Sequence, residues 1–269
     1  MIYVTGDTHS DVTRLSEEVF VEQCEMTKDD YVVILGDFGL IWEYKGETRD
    51  ERYCLDWLND APFTTLFIDG NHENFTRLYG YPVKEWHGGH VHEIRPSVLH
   101  LMRGEIFDID GASCFAFGGA PSHDIKGLAT QEKIEADYAA GILDPKDPRF
   151  GDQLAVIQHL NQYNLARPYR IKGQTWWPEE IASEEEMQRG LDNLEKHGNK
   201  VDFVFSHDGP SSTIAIGWMG AYKPNPQSLY LEKVRCQIEY NAWLFGHYHT
   251  NRRINEKEIC LYDQITQIW

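Results

Sequence analysis

Short apolar runs of strand length recur along this chain, and each stops abruptly at glycine or a polar cluster: Ile2 to Thr5, Tyr31 to Leu35, Thr64 to Ile68 and Val201 to Phe205. They are rich in β-branched and aromatic residues, as strands buried on both faces are. Between the first two lies Asp11 to Met26, with Leu15, Val19 and Phe20 at helical spacing. Between the next two, Tyr53, Leu55, Trp57 and Leu58 follow Thr48, Asp50 and Glu51, a cap and two acids suited to a helix start. Alternating strands and helices imply βαβ units and an α/β class (α+β by some schemes) with a layered core. Functional loops then gather at the carboxyl ends of the strands.

The middle of the chain is different. Val98 to Arg103, Glu105 to Ile109 and Ser113 to Phe117 read as strands, and Asp110-Gly111 is a hairpin signal, so an antiparallel part is expected. From about 120 to 199 the apolar pattern weakens and Pro145, Pro148, Pro168 and Pro178 punctuate it, which reads as an elaborated insertion within a single domain spanning 1–269. Inside that stretch Ser183-x-x-Glu186 forms a capping box and Gly198 a terminator for one helix. A helix at Ser228 to Glu239, a strand at Ala242 to Phe245 and closing strands near Arg252 to Ile254 and Ile259 to Tyr262 follow.

Composition narrows the function classes. A content of 41% hydrophobic and 13% aromatic residues suits an ordinary globular core, and no stretch approaches the roughly twenty apolar residues that span a bilayer. No basic-then-apolar leader opens the sequence and the first polar motif starts at Gly6, so a cytoplasmic location is expected and no membrane partner. Cys24, Cys54, Cys114, Cys236 and Cys260 are odd in number, scattered and never paired as C-x-x-C; they read as small core residues rather than a disulfide framework or zinc ribbon. With 43 acidic against 25 basic residues, the net charge of −18 argues against bulk nucleic-acid binding. A phosphate-bearing substrate would need local positive charge, which bound cations supply.

The polar clusters at the run ends are GDTHSD with Asp7 and His9, GDFG with Asp37, GNHE with Asn71 and His72, SHDGP with His207, and GHYH with His247 and His249. In an extended segment residues two apart project to one side, so Asp7 and His9 can reach a common point. Two acids, one amide and four imidazoles exceed the ligands of one ion and suit two ions sharing a bridge. Asp37 is the natural bridge, since each carboxylate oxygen can bind a different cation. Ions held so lie roughly 3.5–4 Å apart, the separation used for in-line displacement at phosphorus. Gly6, Gly36, Gly70 and Gly246 beside these residues permit tight turns and close backbone approach. Mixed imidazole and carboxylate donors without thiolate suit Mn²⁺, Fe or Zn²⁺.

This series of motifs, in this order from residue 1 to about 255, resembles the calcineurin-like metallophosphoesterases, and "VLHLMRGEIF", "FGGAPSHDI" and "TWWPEE" look similar to a bacterial and phage branch of them. The resemblance implies a β-sheet sandwich flanked by helices. It implies one metal held by Asp7, His9, Asp37 and His249 and another by Asp37, Asn71, His207 and His247, with Mn²⁺ favoured. It makes His72 the general acid near the leaving group, with Glu73 orienting or charging it. The activity implied is hydrolysis of phosphate mono- or diesters of a small molecule by a metal-bridging hydroxide. A nucleotide or cyclic-nucleotide phosphodiesterase, with the insertion supplying a base pocket, is the alternative enzyme; a metal-binding scaffold of the same fold is the non-enzyme one.

The chain departs from the family pattern at three places. Leu40 stands where many members carry a further acid, the arginine-bearing motif of protein phosphatases is missing around Asp37, and Ser206 replaces the usual glycine before His207. A serine/threonine protein phosphatase is thereby disfavoured, and the placement of the Asp208 carboxylate is left open. Other features have plain readings. His87, His90 and His92 read as turn and strand histidines rather than a third metal site, and Trp176 and Trp177 as packing anchors rather than a wall against a base. His123 and Asp124 are candidates to line the cleft, and Arg77, Arg103 and Arg170 to clamp phosphate.

Overall fold

The computed structural model describes residues 1–123, 127–128, 136, 139–140, 161 and 169–269. The chain divides into two compact units, Met1–Pro121 with Glu179–Trp269, and Ser122–Pro178. The expected insertion at 120–199 overlaps the second of these. The helix Glu184–Lys196 belongs instead to the first, where Arg189 and Asn193 donate to the carbonyls of Arg103 and Gly104.

The first unit holds two sheets. In one, β1 (Ile2–Thr5), β2 (Tyr31–Ile34), β3 (Thr64–Phe67) and β6 (Val98–Leu101) run parallel and adjacent. The antiparallel strands β5 (Gly89–Arg95) and β4 (Val83–Trp86) extend one edge, and a short strand, Thr266–Gln267, closes the other. In the second sheet β8 (Ala112–Phe117), β11 (Phe203–Ser206), β12 (Ala242–Phe245) and the strand Glu258–Cys260 are parallel, with β7 (Glu105–Ile109) antiparallel to β8. Asp110 and Gly111 turn the β7–β8 hairpin with φ of 53° and 79°, the left-handed pair that such a two-residue turn requires.

The inner faces of the two sheets meet in one core that joins Val4, Val33, Leu66 and Leu99 to Phe107, Ala116, Phe205 and Leu244. A helix, α1 (Arg49–Asp60), packs its buried Leu55 and Leu58 on the first sheet, entered through a complete Thr48/Glu51 capping box. The second sheet buries Phe115, Phe117 and Phe245 under helices at 184–196, 211–217 and 226–237. Each sheet is thus apolar on both sides, as the unbroken apolar runs predict.

The segment 11–26 departs from the helix expected there. It forms two 3₁₀ turns, Thr13–Leu15 and Val21–Glu25, and Val19 is 63% exposed. The buried Gln23 side chain donates to the carbonyls of Leu15 and Phe20, the acceptors a continuous α-helix would use, while the Val19 N–H turns to Ser16. In the second unit Gly127–Leu128 pairs in parallel with Tyr169–Arg170, and the Ile171 carbonyl accepts from the N–H groups of Gln174, Thr175 and Trp176. Trp177 is buried there, as a packing anchor would be.

Candidate metal centre

Five parallel strands, β1, β2 and β3 of one sheet and β11 and β12 of the other, end at the same side, and the loops leaving them carry the polar motifs. The backbone there is unusual. His9, Ser10, Asp37, His247 and His249 all have φ between 44° and 68°, a left-handed conformation that non-glycine residues adopt only at a cost. Close approach is built in as well: a methyl group at Gly70 would strike the Asp37 carboxylate, and one at Gly246 the Asp7 carboxylate. Backbone N–H groups then hold those carboxylates, His72 donating to Asp37 Oδ1 at 2.8 Å and His247 to Asp7 Oδ1 at 3.0 Å.

The side chains converge in two groups. Asp7, His9, Asp37 and His249 each offer one ligand atom within 4.8 Å of the others. His9 Nε2 lies 3.0 Å from His249 Nε2 and 3.7 Å from Asp37 Oδ2, and His249 Nε2 lies 3.2 Å from Asp7 Oδ2. On the other side of Asp37, His207 Nε2 is 3.3 Å from both Asp37 Oδ1 and Asn71 Oδ1, and the His247 ring sits 5.0 Å from the His207 ring. Asp37 therefore faces both groups, one oxygen to each.

The donor set fits cations. His207 Nδ1 must donate to the Leu35 carbonyl at 2.7 Å, so Nε2 presents its lone pair to two oxygen acceptors unless a proton or metal stands between. Asp7 Oδ2 is buried without a partner of hydrogen-bonding geometry. Burial opposes charge on His207, but Asp37 outweighs it and pushes the imidazole up to about 10. Burial likewise would raise Asp37, yet His207 and His72 hold it well below the usual carboxylate range. The negative field that draws a proton onto this imidazole also attracts a metal ion, which must displace that proton to bind Nε2.

Around this centre several expectations change. Glu73 does not reach His72: its Oε1 accepts the Phe38 N–H at 2.7 Å, so it braces the turn that presents Asp37. Burial, then Asp37, pushes its carboxyl well above the usual range. His72 instead stacks on Trp42, ring centroids 5.5 Å apart, and meets His9 edge-on at 4.9 Å. Asp208 is buried and fully engaged by Tyr248 Oη at 2.6 Å, Asn225 Nδ2 and the Gly209 N–H, which ties the His207 loop to a helix cap. Ser206 fits because its hydroxyl accepts from Trp243 Nε1 and donates to the Asp208 carbonyl.

Arg77 and Arg103 are no phosphate clamps. Arg77 pairs with the buried Glu51 at 2.9 Å; Arg103, 2% exposed, pairs with Asp69. His87, His90 and His92 do not converge on a third metal site, in keeping with their reading as turn and strand histidines. His87 bonds the Asp108 carbonyl, His90 faces Glu105, and His92 bonds His100. His123, Arg170, Trp176 and Trp177 belong to the second unit, and Asp124 lies outside the described residues.

Two parallel-cored sheets with an aspartate and histidine cluster at their common strand ends define the class of protein, a layered α/β chain with a candidate metal centre. The family model of the calcineurin-like phosphoesterases matches residues 1–251, and the chain belongs to that family. No curated protein matches the sequence. Among the described residues no helix is long and apolar enough to cross a membrane.

Proposed function

We propose that this phosphoesterase hydrolyses phosphate mono- or diesters of a small molecule at a centre of two divalent cations, Mn²⁺ being favoured. Asp7, His9, Asp37 and His249 would hold one ion and Asp37, Asn71, His207 and His247 the other. The observation that carries the reading is Asp37, buried between two groups of metal-ligating side chains with one oxygen toward His9 and the other toward His207. When bound, such ions lower the pKa of water toward neutrality and offset charge on phosphoryl oxygens.

The residues divide the remaining work. Glu73, through the Phe38 N–H, and the His72 N–H fix the Asp37 carboxylate from two directions. The Leu35 carbonyl fixes the tautomer of His207. His72, half-buried and open to a cavity of about 170 Å³ with His9, Ser10, Gly39 and Trp42, would donate a proton to the departing oxygen. In the balanced step a water molecule gives one proton to solvent as its oxygen attaches to phosphorus, the ester P–O bond breaks, and the departing oxygen takes the proton of His72, which solvent then restores.

The test compares p-nitrophenyl phosphate with bis-p-nitrophenyl phosphate in the presence of Mn²⁺, with Asp37→Asn as the blank. Turnover lost in the variant supports the reading, and the better ester decides between phosphatase and phosphodiesterase. No turnover of either by fully loaded protein overturns it in favour of a scaffold.

A further inference from the structure

We propose that the groove beyond Trp42 receives the alcohol half of the substrate and selects a planar group that carries no negative charge. This rests on the reading above for its chemistry, though not for its binding test. The small cavity at His72 shares Ser10, Gly39 and Trp42 with a second cavity of about 340 Å³, lined further by Glu43, Thr48, Asp50 and Cys54. An alcohol leaving from His72 therefore has Trp42 as its next neighbour and the larger space ahead of it.

Trp42 is held at its backbone, and its ring by stacking on His72. Its backbone N–H and that of Glu43 donate to Glu51 Oε1 at 2.8 and 3.0 Å, and Glu51 is locked in turn by Arg77 and by its own capping box. From the other side, Asn74 donates its amide to the carbonyls of Trp42 and Glu43, while the Asn74 N–H bonds the carbonyl of Ile41. Asn74 follows His72 by two residues, so the acid and the aromatic platform are set by the same turn. A preorganised indole binds a flat ring, or a ring bearing positive charge, with little ordering cost.

Charge supplies the selection. Among the described residues Glu43, Asp50 and Glu51 line the larger cavity and no lysine, arginine or histidine does; Glu51 and the nearby Arg77 offset each other, which leaves the charges of Glu43 and Asp50. A second phosphate or a carboxylate on the leaving group would meet like charge there, whereas an uncharged heterocycle or an aromatic amine would not. Substrates built as phosphate on a nucleoside-like or arylalkyl alcohol fit this groove; polyphosphates extending in that direction do not.

The test has a binding arm and a turnover arm on the full, Mn²⁺-loaded chain. By calorimetry, phenyltrimethylammonium should bind the wild type, tetramethylammonium should bind far more weakly, and Trp42→Ala should weaken the former about tenfold while Trp42→Phe keeps most of it. Unchanged binding in Trp42→Ala overturns the proposal. In turnover, phenyl phosphate should show a lower KM than 4-carboxyphenyl phosphate, and Glu43→Gln with Asp50→Asn should erase the difference. Equal KM values in the wild type also overturn it. If neither ester turns over, the hydrolase reading has failed, and the calorimetry still decides the groove.

Discussion

Two buried polar clusters meet at the loop after β3, and they solve the same electrostatic problem in opposite ways. Asn71, on one side of Gly70, belongs to a group in which two carboxylates, an amide and imidazoles face one another, with Asp7 Oδ2 buried without a hydrogen-bond partner. Asp69, on the other side, is as deeply buried, yet its carboxylate takes two hydrogen bonds from Arg103 and one from His100 Nε2 at 3.1 Å. Burial would raise Asp69, but Arg103 first and then His100 hold it well below the usual carboxylate range. Arg103 also donates to the Glu179 carbonyl and meets Glu186. The second cluster carries its cation in the sequence; in the proposed reading the first takes one from solution. The difference separates a structural anchor from a reactive centre, although both are buried, charged and adjacent.

That comparison breaks first at Asp37. Asp37→Asn should lower kcat/KM by roughly 10³-fold, since a preorganised charge that both donor groups share is lost, and elemental analysis should find the metal content reduced with it. Arg103→Leu should do the reverse. It leaves the Asp69 charge buried without its cation, held only by His100, so denaturant unfolding should show a loss of about 3–5 kcal/mol. Adding Asp69→Asn to it should recover a large part. Metal content of the folded fraction should stay near that of the wild type. An Arg103→Leu protein as stable as the wild type would falsify the anchor.

A smaller effect comes from removing the metal itself. Chelation should cost the wild type about 2.7 kcal/mol relative to protein held in metal at a hundred times its dissociation constant. The same treatment should leave Asp37→Asn almost unmoved. Equal shifts in melting temperature for both proteins would mean that the chelated ions sit elsewhere.

The sequence disclosed these clusters unequally, for physical reasons. A metal centre at strand ends is written as short local patterns, because each ligand must stand beside a residue that lets its loop turn. Asp7, Asp37, Asn71 and His247 could therefore be read next to their glycines. The strands were legible because burial on both faces forces unbroken apolar runs. The anchor joins Asp69 to Arg103 across 34 residues, and nothing local distinguishes a paired arginine from a phosphate clamp. The one usable signal was His100 within the apolar run VLHL, a polar group that must find a buried partner. Glu73 was misread because adjacency to His72 suggested contact, whereas in a turn the next residue points elsewhere, here to the Phe38 N–H. Segment 11–26 was misread because spacing cannot report that Gln23 intercepts helix carbonyls.

The finest distinction between the clusters is in their response to acid. His100 gives its Nε2 proton to Asp69, so its Nδ1 accepts, and His92 Nδ1 donates to it at 2.9 Å. His92 lies between the stacked rings of His100 and Tyr79, and the small cavity beside it is lined also by Asp69, Arg103, Glu186 and Arg189. Burial, then His100, lowers its pKa from 6.5 to about 4, against a weaker pull upward from Asp69. The folded state therefore holds His92 neutral where the unfolded chain has already taken up a proton. Stability should fall as pH drops from 6.5 toward 4 and lose nothing more from this residue below that window. His92→Phe, which keeps a ring between Tyr79 and His100, should flatten that part of the stability profile without altering metal content. If the variant and the wild type lose stability in parallel over the window, His92 carries none of the acid sensitivity, and the anchor is indifferent to protons because Arg103 has already satisfied its only charge.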